Sequence, residues 1–146
     1  MRSVIAVVIG ILTAFLVGSL IGTQVVLASV QSMGLDVTLA MRWSTSLSDL
    51  LGLSSSLLPL MGIALGCSWA LLIWLDRSKI VHASALWCVV VGAATVMVLH
   101  PALNLAFGVD VFAPARSLPG LAGQGLAGAL GGIAMSHILG VSRSLQ

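Results

Sequence analysis

Apolar residues fall along the chain in four long runs, and the few charged residues lie almost entirely between them. The runs extend from about Val4 to Ala28, Leu57 to Leu75, Ala83 to Phe107 and Leu118 to Leu139. Each reaches the roughly 20 residues needed to cross a hydrocarbon core about 30 Å thick. Lipid cannot hydrogen-bond backbone amides, so continuous apolar runs of this length predict helices. The predicted fold is an all-α membrane protein: one transmembrane domain over residues 1–146, built as a four-transmembrane-helix bundle.

The connection between the first two runs predicts one further element. Trp43, Leu47, Leu50 and Leu51 repeat at helical spacing, while Ser44, Ser48 and Asp49 occupy other faces. This pattern fits a short interfacial helix on the outer membrane surface, serving as a connector over the bundle or as a lid or docking surface. Ser46 followed by Asp49 is a capping signal; Ser54-Ser55-Ser56 before Pro59, and Ser117 before Pro119, mark helix starts.

Composition agrees with the pattern. Hydrophobic residues make up 59% of the chain and charged residues 7%, with a mean hydropathy of +1.17. A soluble domain carries about 25% charged residues. Arg2 before an apolar run also fits a secretion signal, but the run exceeds the 7 to 15 residues typical of a signal core, so a retained helix is expected.

With four spans both termini share one side, which then holds Arg2, Arg77, Lys79 and Arg143 against Arg42 and Arg116 opposite. Basic residues are retained on the cytoplasmic side, so both termini are expected inside, across a bacterial inner (plasma) membrane. Trp69, Trp74 and Trp87 toward the inner surface and Trp43 toward the outer one match the preference of tryptophan for membrane interfaces.

Small residues form stripes. Gly10, Ala14, Gly18 and Gly22 recur every four residues on the first helix, Gly62, Gly66 and Ala70 on the second, and Gly120, Gly128 and Gly132 stand among six glycines on the fourth. Smooth faces let helices approach closely, a principal source of association in lipid. They predict tight packing within the chain and a surface for a homo-oligomer or another membrane subunit.

Polar residues inside spans are costly and call for a partner or a cavity. His100, Asn104, Gln124 and Gln24 share the outer third of the predicted spans, with Arg116, Asp110 and Asp36 near the mouth of any pocket there. His100 and Asn104 lie four apart on one face. Pro101 cannot donate to the carbonyl of Met97, which predicts a kink at the same depth.

Other chemistry is excluded by what the spacing lacks. No zinc pattern is present, Cys67 and Cys88 have no CxxC spacing and read as buried thiols, and no phosphate loop, GxSxG, HExxH or intramembrane carboxylate pair occurs. No metal, cofactor or enzymatic activity is expected. The six basic residues are too few and too dispersed for nucleic acid. His82 and His137 read as inner-surface residues.

Ala113-Pro114-Ala115-Arg116-Ser117 resembles the second half-helix motif of aquaporins, and His100-Pro101-Ala102 loosely resembles the first. The resemblance covers under ten residues. Ala113 and His100 replace the family's asparagines and the two copies lie too close together, so membership is rejected. Two functions are expected from different classes: a non-catalytic self-associating or accessory subunit of a membrane complex, and a small-solute channel or transporter using the pocket around His100.

Overall fold

A computed structural model of the chain describes residues 1–108 and 112–140. All regular elements among these are helical: α1 (Arg2–Ser32), α2 (Leu39–Ser54), α3 (Leu57–Arg77), α4 (Ala85–Phe107), a 3-10 turn (Ala113–Arg116) and α5 (Leu118–Leu139). The predicted runs and the helices agree to within a few residues, and α5 coincides with its run. α1 is longer than its apolar run: 31 residues rise about 46 Å, and the polar Gln24, Ser29, Gln31 and Ser32 occupy the excess.

Three helices, α1, α3 and α4, are long and apolar enough to cross a membrane. Four were expected. α5 has the length, at 22 residues, but its six glycines together with Gln124, Ser136 and His137 dilute its apolar content.

What α5 lacks in apolar side chains it gains in close approach, for it packs most extensively of all helices, against α1 on one side and α4 on the other. Along α1 it runs antiparallel and in register. Arg2 Nε donates to the Ile138 carbonyl at 2.8 Å, Gly10 meets Gly131, Gly18 meets Gln124 and Ala127, and Gly22 meets Pro114 and Phe112 just ahead of α5. Toward α4, Gly128 lies on the backbone of Gly92, Gly132 on that of Cys88, and Gly125 against the Met97 sulfur. A β-carbon added at Gly131 would lie 2.6 Å from the Gly10 carbonyl oxygen and 2.9 Å from Ala14 Cβ. The glycines of α1, α4 and α5 are therefore consumed in packing within the chain.

α3 differs from its prediction. It buries its large stripe, Leu57, Met61, Leu65, Trp69 and Leu72, and leaves the small one open: nothing lies within 4 Å of a β-carbon added at Gly62, and only Ile11, at 4.0 Å, is near one at Gly66. Large side chains reach across the wider gap beside α1 and α4 and fill it with more contact than glycines provide.

Trp69 is accordingly not interfacial. It is fully buried, wedged between Gly10, Gly92 and Gly131, and its Nε1 donates to the Cys88 carbonyl at 3.2 Å. Trp43, Trp74 and Trp87 are exposed. Cys88 is buried but Cys67 is exposed, and both are free thiols. His82 and His137 are exposed.

Local signals set the helix ends. Ser117 Oγ accepts from the Gly120 amide at 3.1 Å and Ser84 Oγ from Trp87, so both hydroxyls cap N-termini. α4 stops at Gly108, whose φ of +67° suits glycine. It runs unbroken through Pro101, so the missing amide does not end the helix. The Ser46 and Asp49 pair is no cap, because α2 begins earlier, with Thr38 Oγ1 accepting from Met41 N at 3.2 Å.

A candidate ligand cavity beside His100

The antiparallel alternation of α1, α3, α4 and α5 brings the end of α4, the 3-10 turn and the start of α5 together at the end of the bundle opposite Arg2. A cavity of about 300 Å³ lies there, lined by His100, Pro101, Leu103, Asn104, Phe112, Ala115 and Arg116. Three of the seven predicted site residues meet at this wall: His100, Asn104 and Arg116.

His100 is buried, at 6% exposure, and its ring stacks on Phe112 with centroids 5.2 Å apart and an interplanar angle of 19°. Among the described residues neither ring nitrogen makes a hydrogen bond of good geometry. Buried polar groups are nearly always paired, and the position of this imidazole at the cavity wall leaves room for water or another molecule to make the contact. Asn104 and Arg116 are exposed on the cavity side, and Asn104 also uses its carbonyl to close the α4 terminus by accepting from Gly108 N at 2.8 Å.

Gln124 lies behind His100. It is fully buried, and its Nε2 donates to the Gly18 carbonyl at 2.9 Å, tying α5 to α1. Its Oε1 makes no hydrogen bond of good geometry among the described residues. The side chains of Gln124 and His100 are near enough to interact, so the orphaned acceptor of one faces the orphaned ring of the other.

Gln24 is not part of this wall. It faces α2, accepting from Arg42 Nη1 at 2.6 Å while its own Nε2 donates to Ser46 Oγ at 3.1 Å. Arg42 also donates to Gln31 Oε1 at 3.0 Å, and Thr23 Oγ1 donates to Asp49 Oδ2 at 2.8 Å. A second polar cluster thus clamps α2 onto α1, and Asp49 presses an acid against a buried position of an apolar helix. The sequence pattern missed this cluster because its partners lie 11 to 26 residues apart on two helices. The only hint was that Arg42, Ser46 and Asp49 share one face of α2.

α2 is accordingly polar inward and apolar outward, with Leu39, Trp43, Leu47 and Leu51 exposed in a stripe and Leu50 turned toward the core. That is the reverse of a soluble helix and fits contact with lipid. Asp36 is exposed in the connection before α2 and does not line the cavity. Asp110 lies outside the described residues.

Phe112 is the member of the site that sequence reasoning passed over. It precedes the 3-10 turn, is buried, and contacts both His100 and the face of α1 at Gly22. Chemically the lining combines an imidazole, an amide and a guanidinium with the apolar side chains of Leu103, Pro101 and Phe112. Among the described residues no group of three or more His, Cys, Asp or Glu is arranged to hold a metal ion. No family model matches the chain, and no match was found among the curated proteins or the solved structures.

Proposed function

We propose that the chain is a four-span membrane protein that binds a small solute in the cavity beside His100, as the recognition site of a transport or sensing component rather than of an enzyme. The observation that carries this reading is a buried histidine at the wall of a cavity of about 300 Å³, with Gln124 as its only polar neighbour in reach among the described residues and no well-formed hydrogen bond. The accessible wall of the cavity is more polar than apolar, and convergent polar groups of this kind are what fix a small ligand's orientation.

Four spans are supported by the register of α5 with α1. A helix of 22 residues is about 33 Å long, and its contacts with α1 run from Ile138 and Arg2 at one end to Gly18 and Gln124 toward the other, so the two share one depth. The face it leaves open between α1 and α4 carries Leu126, Leu130 and Ile133, apolar as lipid contact calls for. Arg2, Arg77 and Lys79 gather at the helix ends near the termini, which favours a cytoplasmic position for that side and an outer one for the cavity. The core below the cavity, filled by Trp69, Met61 and Met135, favours binding over an open channel.

The test is a thermal-shift screen of small water-soluble compounds against the protein in lipid nanodiscs. Genuine ligands lose their effect in Ala115→Trp, which fills the cavity from its rim. If every stabilising compound acts equally on that variant, the cavity is not a binding site.

A second reading, assembly with another copy or subunit, is favoured by the open Gly62 and Gly66 of α3. It predicts that Gly66→Leu changes the oligomeric state in mild detergent. An unchanged state removes α3 as an interface.

A further inference from the structure

We infer that the groove between α1 and α3, at the end of the bundle that holds Arg2, seats one anionic phospholipid, its phosphate on Arg77 and Ser3 and an acyl chain against Ala70. The assignment is independent of the cavity beside His100. It needs only α1 and α3, both long and apolar enough to cross a membrane.

The groove measures about 350 Å³, and its walls are hydrocarbon, from Val4, Val7 and Val8 of α1 and Ala70 and Ile73 of α3. Beyond Ala70 the same face of α3 carries Gly66, where a β-carbon would meet only Ile11, at 4.0 Å, so the face stays open toward the bilayer centre. From Gly66 to Arg77 the helix rises about 16 Å, against roughly 15 Å for half a hydrocarbon core. The open face is one leaflet deep.

The rim supplies the polar end. Trp74 and Arg77 are exposed there, and among the described residues no hydrogen bond or ion pair engages the Arg77 guanidinium. The adjacent acid, Asp76, is turned to the Ala83 amide, from which it accepts at 2.9 Å. Ser3 lies on the rim in the first turn of α1, whose amides have no side-chain cap. A guanidinium fork fits phosphate oxygens, uncapped amides favour an anion, and tryptophan settles at headgroup depth. Lys79, exposed just past α3, adds positive potential, which favours a headgroup of net negative charge over a zwitterion. The apolar groove between α3 and α4, lined by Leu71, Leu75 and Trp87, has no cation and so no means of choosing a headgroup.

Trp74 reports on its own groove. In a background of Trp43→Phe and Trp87→Phe the only other tryptophan, Trp69, is fully buried. This parent protein is placed in phosphatidylcholine nanodiscs containing rising fractions of phosphatidylglycerol or phosphatidylcholine with brominated acyl chains, which quench tryptophan on contact. The phosphatidylglycerol is expected to occupy the groove about fivefold more strongly, the effect of one basic residue near a membrane surface. Arg77→Gln and Ala70→Leu, both at exposed positions, are each expected to abolish the preference; the first removes the charge, the second fills the groove and keeps the charge. Equal quenching by the two lipids in the parent protein overturns the assignment. So does a preference that survives either variant, since the lipid is then held by diffuse surface charge. Absence of quenching by both lipids in a dimeric protein gives this face to a second copy and overturns it as well.

Discussion

Substituting Gly131 tests the packing that positions everything else. A β-carbon there would sit 2.6 Å from the Gly10 carbonyl oxygen, 2.9 Å from Ala14 Cβ and 3.2 Å from the Trp69 ring. Carbon atoms pack comfortably at about 3.5–4.0 Å, so α1 and α5 must part by several tenths of an ångström or more. Overpacking of this kind costs about 1–3 kcal/mol. Alanine returns about 0.8–1.0 kcal/mol through helix propensity. Gly131→Ala is thus expected to destabilise by roughly 1 kcal/mol, and Gly131→Leu by more than about 3 kcal/mol, since no rotamer avoids the Gly10 backbone. Gly62→Ala is the matched control. With nothing within 4 Å, it keeps only the propensity gain of up to about 1 kcal/mol. Unfolding of both variants by sodium dodecyl sulfate in mixed micelles, followed by tryptophan fluorescence, reads the difference. If Gly62→Ala unfolds earlier than Gly131→Ala, or the two coincide, the helices are not packed through the α1 and α5 glycines.

Other consequences follow from single contacts. Trp69→Ala is expected to cost about 3–5 kcal/mol in the same titration, because it empties the junction of α1, α3, α4 and α5. Trp69→Phe should cost far less, losing chiefly the bond to the Cys88 carbonyl. Thr23→Val removes the hydroxyl that holds Asp49 and is expected to raise hydrogen exchange across Leu39–Ser54 while leaving α5 unchanged; unchanged exchange in α2 would deny the clamp. A lipid-soluble maleimide is expected to label one thiol per folded chain, Cys67, with Cys88 reacting only after unfolding.

How much of this was legible in the sequence depends on where each residue's partner lies. Helix positions were legible because apolar runs and caps are local: Ser117 and Pro119 begin α5 through a bond three residues long. The α1 and α5 stripes were legible because small residues every four positions have one efficient use in lipid. The role of Gly62 and Gly66 was not, since a stripe does not reveal whether a neighbour covers it, and here the larger residues on the opposite face took the core. Trp69 misled for the same reason: sequence position near a helix end stood in for depth, while the glycines that enclose it come from α1, α4 and α5. In the site, the four-residue spacing of His100 and Asn104 placed both on one wall. Gln24 was sorted wrongly because depth alone did not distinguish the α2 side of α1 from the α5 side, and Phe112 lay in a connection with no periodicity to read.

The central claim is that α5 crosses the bilayer beside α1, placing the His100 cavity on the side opposite the termini. Ala113 and His137 are exposed near the two ends of this helix. In a background with Cys67 and Cys88 replaced by serine and alanine, Ala113→Cys and His137→Cys are treated in intact cells with a membrane-impermeant maleimide. Labelling of Ala113→Cys from outside, with His137→Cys protected until the membrane is permeabilised, is the predicted result. Labelling of both from the same side would contradict it.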